Sequence, residues 1–131
     1  SNYIDQRHNG IDIVASDGTP IMSAADGKII ALGNQDKFCP GLNYGKFIAV
    51  ANTKDGSVLL YAHLGSFKVK EGDAVSEGEI IATVGRSGFI TSPHLHFSVF
   101  EGEGFKMAKK DGCGPNPEGR DINPIKYLES L

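Results

Sequence analysis

Glycine-centred turn signals divide this chain so finely that only its last stretch, Pro124 to Leu131, has a helical look. Asp17-Gly18, Asp26-Gly27, Asp55-Gly56, Gly72-Asp73, Gly78, Gly85 and Gly88 all stand in turn-forming contexts. Gly reaches φ > 0 without steric cost, and Asp closes such turns with its own carboxylate. Between them lie short segments rich in Ile, Val, Leu, Phe and Tyr: residues 28–32, 46–52, 58–63, 79–84 and 94–100. Runs of that length and composition, bounded by turns, read as strands. The expected fold class is all-β and mostly antiparallel. Asp55-Gly56 is the kind of turn that closes a hairpin, so Phe47 to Ala51 should pair with Val58 to Ala62. Residues 26–33 and 77–85 echo each other, and two copies are better read as turn-then-strand pieces of one sandwich than as a solenoid. Periodicity disappears in Gly33 to Gly45 and Glu101 to Arg120, which are expected to be long loops of the kind that shape a groove on a rigid β scaffold.

The 131 residues suit a single domain over 1–131, and 40% hydrophobic with 22% charged residues supplies a real core. Thirteen Lys and Arg against 16 Asp and Glu give a formal charge of −3, which leaves no basic field for nucleic acid or anionic lipid. No apolar run approaches the roughly 18 residues of a membrane span, so this segment is not expected to insert into a membrane. The chain starts at Ser1 and is read as a domain excised from a longer exported protein. Composition leaves the oligomeric state open.

Histidine is scarce, at positions 8, 63, 94 and 96 only. His8 opens His8-Asn9-Gly10-Ile11-Asp12, where Gly10 argues against a helix and Ile11, Ile13 and Val14 suggest the start of a strand. On its own that pair reads as an exposed His and a surface Asp. In Pro93-His94-Leu95-His96-Phe97-Ser98-Val99, strand alternation sets His94, His96 and Ser98 on one face and Leu95, Phe97 and Val99 on the other. Two imidazoles opposite the apolar face suit a metal or proton-transfer site better than packing. The same alternation groups His63 with Leu59 and Tyr61. A catalytic zinc takes three ligands from the His and carboxylate menu and keeps a fourth position open. His, Asp and His would satisfy it, leaving two imidazoles for proton transfer or oxyanion stabilisation.

His8-x-x-x-Asp12, Tyr61-Ala-His63-Leu64 and Pro93-His94-Leu95-His96-Phe97 together resemble the motifs of the lysostaphin-like, LytM-type zinc metalloendopeptidases. Residues 24–27, 69–78, 84–88 and 121–124 resemble that family's connecting segments in the same order, so the likeness covers nearly the whole chain. It implies a compact antiparallel sandwich or open barrel, with long loops flanking a groove and a short C-terminal helix. It also implies Zn2+ held by His8, Asp12 and His96, with His63 and His94 as the catalytic pair and Tyr61 as a candidate neighbour. The implied activity is endopeptidase cleavage of peptidoglycan cross-links or stem peptides by metal-bound water, in the periplasm, cell envelope or outside the cell. Ser98 stands where such proteins commonly have Glu, and Ser92 where Gly is common. These departures bear on substrate preference and on tuning of the ligands.

Cys39 and Cys113 fall in the two expected loops without Cys-x-x-Cys spacing. A disulfide fits an extracytoplasmic location, and two free buried thiols are the alternative. Two competing functions belong to other classes. One is a non-catalytic regulator of cell-wall amidases, or a scaffold, using the same fold. The other is a carrier module resembling biotinyl or lipoyl domains, which lacks its acceptor Lys at Ser76-Glu77-Gly78.

Overall fold

The computed structural model describes residues 10–39, 44–88, 92–110 and 114–131. In chain order the strands are β1 (Ile11–Val14), β2 (Pro20–Met22), β3 (Gly27–Asn34), β4 (Lys46–Asn52), β5 (Val58–Ala62), β6 (Leu64–Phe67), β7 (Ala74–Val75), β8 (Ile80–Val84), β9 (His94–Phe100), β10 (Lys106–Lys110), β11 (Gly114–Glu118) and β12 (Asp121–Ile122). Helix α1 (Pro124–Glu129) closes the chain. The main sheet is seven-stranded in the order β1-β9-β5-β4-β3-β7, with β12 also paired to β9. A three-stranded sheet, β2-β8-β6, faces it, and β10-β11 forms a separate hairpin. Every pairing in these sheets is antiparallel. The expected all-β fold with a short terminal helix is what the chain adopts.

Alternation along the central strands builds two apolar layers. Ile48, Val50, Leu59, Tyr61, Phe97 and Val99 point towards the smaller sheet and meet Ile21, Leu64, Ile81 and Val84. Ala49, Leu60, Ala62 and Phe100 point the other way, into a second cluster with Phe47, where Phe105 and Met107 pack from the chain around β10. All five residues of β5 are therefore buried. Each large apolar side chain so enclosed contributes about 1.5–3 kcal/mol relative to exposure, and the central strands, buried on both faces, form a stiff base for anything mounted on β9. The expected hairpin is present, with Ala51 opposite Val58 and Ile48 opposite Tyr61. Its turn is tied by Asp55, whose carboxylate accepts from the Ser57 N–H at 2.9 Å, while Gly56 takes φ +77. Helix α1 docks on this turn: Asn123 caps it, Pro124 starts it, and the Tyr127 hydroxyl accepts from Asn52 Nδ2 at 2.6 Å and pairs with Ser57 Oγ at 2.7 Å.

Both expected loops contain more regular structure than their composition suggests. Residues 101–120 include the hairpin β10-β11, with Ala108 opposite Asn116. Pro115 and Pro117 obscure this strand, yet their two-residue spacing places both missing N–H groups on one edge and leaves Gly114, Asn116 and Glu118 to pair. In residues 33–45, β3 continues to Asn34 and a 3-10 turn follows over Gln35–Lys37. Buried Gln35 ties the two regions together: its Nε2 donates to Asn116 Oδ1 at 2.7 Å and to the Pro115 carbonyl at 3.1 Å, and its Oε1 accepts from the Tyr44 N–H at 3.0 Å. Cys39 is disulfide-bonded. The chain's other cysteine, Cys113, lies outside the described residues.

Candidate active site

Strand β9 carries the site on the face its sequence predicts. Phe97 and Val99 are buried in the core with Leu95 packed against them, so His94, His96 and Ser98 take the opposite face. Antiparallel pairing with β1 sets Asp12 directly across from His96 and Val14 across from His94. Residues in such register bring their side chains within reach of one another, and Asp12 Oδ1 lies 3.0 Å from His96 Nδ1 and 3.6 Å from His94 Nε2.

His63 reaches the same place by a route that alternation does not anticipate. Leu59 and Tyr61 do share a face, and that face is the core, where the Tyr61 hydroxyl accepts from the Ala24 N–H at 2.9 Å. Tyr61 is therefore not a neighbour of the histidines. His63 sits between β5 and β6 with φ +62, the one non-glycine residue with positive φ among the described residues. This left-handed step rotates the side chain out of the Tyr61 series and onto the β9 site face. Its ring centroid lies 5.2 Å from that of His94 and 5.9 Å from that of His96. Such a backbone costs on the order of 1 kcal/mol or more and persists only where the surroundings over-determine it. Here the His63 N–H donates to the Tyr44 carbonyl at 2.9 Å, its carbonyl accepts from the Gly85 N–H at 3.2 Å, and its Nδ1 donates to the Ser87 carbonyl at 2.7 Å.

These contacts place the protons. A carbonyl only accepts, so His63 carries its hydrogen on Nδ1 and presents the Nε2 lone pair. His94 Nδ1 likewise donates to the Ser92 carbonyl at 3.0 Å. His96 differs: its Nδ1 faces Asp12 and its Nε2 lies 2.9 Å from Ser98 Oγ. Tyr44 adds a ring 5.8 Å from that of His96. The Asp12 carboxyl is held down at about 2, chiefly by its hydrogen bond to His96 and further by the charges of His96 and His94, against the opposing effect of burial. Burial first, then the neighbouring His96 and His94, push His63 down to about 4 despite the Ser87 carbonyl. At neutral pH the site thus holds an ionised carboxylate beside a neutral His63.

The His63 shift sets a stability window. Its unfolded value is about 6.5, so above that pH it is neutral in both states. As pH falls towards 4, the unfolded chain takes the proton first and the native state loses ground. The loss is on the order of 3 kcal/mol. Thermal unfolding in chelator from pH 7.5 to 4.5 should show the decline, and His63→Asn should flatten it. Equal slopes for the two proteins would contradict this origin.

Gly10 is a site residue that the sequence marks only as a helix breaker. A Cβ there would fall 2.6 Å from both His96 Nε2 and the Phe97 carbonyl, so the backbone lies directly against the imidazole. Gly10→Ala is expected to displace the His96 ring, seen as a shift of its side-chain NMR signals from their wild-type positions. Unchanged His96 signals in the folded variant would remove Gly10 from the site. The Ser87 and Ser92 carbonyls were not legible either, because a backbone acceptor leaves no residue-type signal.

Asp12 and His96 are spaced as two ligands of one metal ion would be. In a tetrahedral zinc site with bonds of about 2.0–2.2 Å, neighbouring donors stand about 3.3 Å apart, close to the Asp12–His96 separation. His8, the other expected ligand, lies outside the described residues, and among the described residues no group of three such side chains closes into a cage.

The model of Peptidase family M23 matches residues 6–110, and the chain belongs to that family. It is 42% identical over 94 residues to the cell division protein DipM of Caulobacter vibrioides, covering 72% of this chain and 14% of that protein. It is 38% identical over 92 residues to the glycyl-glycine endopeptidase ALE-1 of Staphylococcus capitis, covering 69% of this chain and 24% of that one. The chain thus spans less than a quarter of the length of either relative. The structure of the catalytic domain of the antimicrobial peptidase lysostaphin from Staphylococcus simulans superimposes with a TM-score of 0.72 at 29% identity, covering 93% of this chain and 79% of that one.

Proposed function

We propose that this chain is a zinc-dependent endopeptidase domain that hydrolyses peptide cross-links or stem peptides of bacterial peptidoglycan outside the cytoplasm. The observation that carries the reading is the convergence of His63, His94 and His96 on ionised Asp12, with the Nδ1 atoms of His63 and His94 committed to backbone carbonyls. His8, Asp12 and His96 would hold the ion. Bound zinc supplies Lewis-acid polarisation of an amide carbonyl and lowers the pKa of a water towards neutrality.

The chain's own residues do the rest. Amide hydrolysis delivers a water's hydroxyl to the carbonyl carbon and its proton to the departing nitrogen. His63 and His94 carry that proton at Nε2, because their Nδ1 atoms are already committed to carbonyls. Burial keeps His63 neutral and ready to accept, and a proton placed there is readily passed on. Likeness to ALE-1, a glycyl-glycine endopeptidase, supports a peptide bond as the target, and the disulfide at Cys39 supports an oxidising compartment. On this reading residues 1–131 act as one domain of a longer exported protein.

A second reading is a non-catalytic regulator of cell-wall amidases or a scaffold, since DipM is described as a cell division protein and not as a peptidase. Purified peptidoglycan separates the two. Zinc-loaded protein should release new amino termini from the cross-linked wall, and chelator should stop it. Zinc-loaded protein that leaves every peptide intact while stimulating an added amidase would establish the regulator.

A further inference from the structure

We propose that Ser98 is a positioning residue that decides which nitrogen of His96 faces the metal, reversing its own hydrogen bond when the ion arrives. This rests on the zinc reading above. Ser98 is fully buried, and its strand is paired on both sides, to β1 and to β5, where Leu60 stands opposite Ser98. Its Oγ is thereby held 2.9 Å from His96 Nε2. Gly10 crowds the same nitrogen from another direction, since a Cβ on it would come within 2.6 Å. The serine hydroxyl is thus the side-chain partner that the enclosure provides for Nε2.

The two ends of the imidazole meet different chemistry. Asp12, ionised, only accepts, whereas a hydroxyl both donates and accepts. Without an ion, Nδ1 of the neutral His96 ring carries the hydrogen that bridges to Asp12, which leaves Nε2 as the lone pair to which Ser98 O–H donates. With an ion between Asp12 and His96, Nδ1 must offer its lone pair, the hydrogen sits on Nε2, and Ser98 Oγ accepts. No proton is gained or lost by the pair of states at this ring: the tautomer changes and the hydroxyl rotates. Both states leave the half-buried ring bonded at both nitrogens, which an alanine at position 98 would not allow.

The test uses the 131-residue chain. Long-range 1H–15N spectra of the His96 ring should show Nδ1–H in chelated protein and Nε2–H after zinc is added. Competition against a chromophoric chelator should give a zinc affinity about 10–100-fold weaker for Ser98→Ala, the usual effect of losing a ligand's hydrogen-bond partner, and near wild type for Ser98→Thr, which keeps the hydroxyl. Unchanged affinity in Ser98→Ala, or a wild-type ring with the same tautomer in both states, would overturn the role of Ser98 while leaving zinc binding intact. A wild-type protein that takes up no zinc overturns the metal reading itself. The wild-type spectra decide the question even where Ser98→Ala does not fold.

Discussion

Asp12→Ala is expected to abolish hydrolysis and zinc retention together, with metal affinity falling by more than about 100-fold. Loss of an outer hydrogen-bond partner already costs about 10–100-fold, and Asp12 is proposed as a direct ligand that also supplies the negative charge. The carboxylate is ionised with a margin of several pH units, so it contributes that charge at any pH where the protein works. Its removal also deprives His96 Nδ1 of the acceptor 3.0 Å away. Metal analysis after dialysis, paired with peptidoglycan digestion, checks the expectation, and His96→Ala and His8→Ala should behave alike. Zinc held at wild-type stoichiometry by Asp12→Ala would end the ligand assignment.

The opposite pattern is expected for the other two histidines. His63→Asn and His94→Ala should lower turnover by about 100- to 10,000-fold, the range for loss of a positioned proton-transfer group, with zinc content within a few-fold of wild type. Asn is the informative replacement at position 63, because it tolerates the left-handed backbone that His63 adopts at φ +62. A drop in activity then reports the imidazole and not a collapsed turn. Single-turnover kinetics alongside metal analysis would show the split. Full turnover with either substitution would remove that residue from proton transfer.

Strand β9 is legible in the sequence. The period of two in His94-Leu95-His96-Phe97-Ser98-Val99 sorts imidazoles from core residues by hydrophobicity alone, and the structure keeps that sorting. The same rule fails five residues after Val58. Alternation assigns His63 to the side of Leu59 and Tyr61, but a left-handed residue, held by the Tyr44 carbonyl and Gly85 N–H, turns it onto the face of His94 and His96. Hairpin β10-β11 was hidden for a different reason: its prolines and glycine carry turn propensity, and docking through Gln35 overrides it.

Residue types and their spacing therefore settle the all-β class, the hairpin β4-β5, and the stock of imidazoles and carboxylate from which a site can be made, because local sterics and apolar periodicity act within a few residues. The pairing of Asp12 with His96 across 84 positions, the rotation of His63, and the carbonyls that put hydrogens on Nδ1 of His63 and His94 depend on strand register and on loops closing over one another. Those are properties of chains packed side by side, where the free energy of the whole core holds a local conformation that the segment alone would not choose.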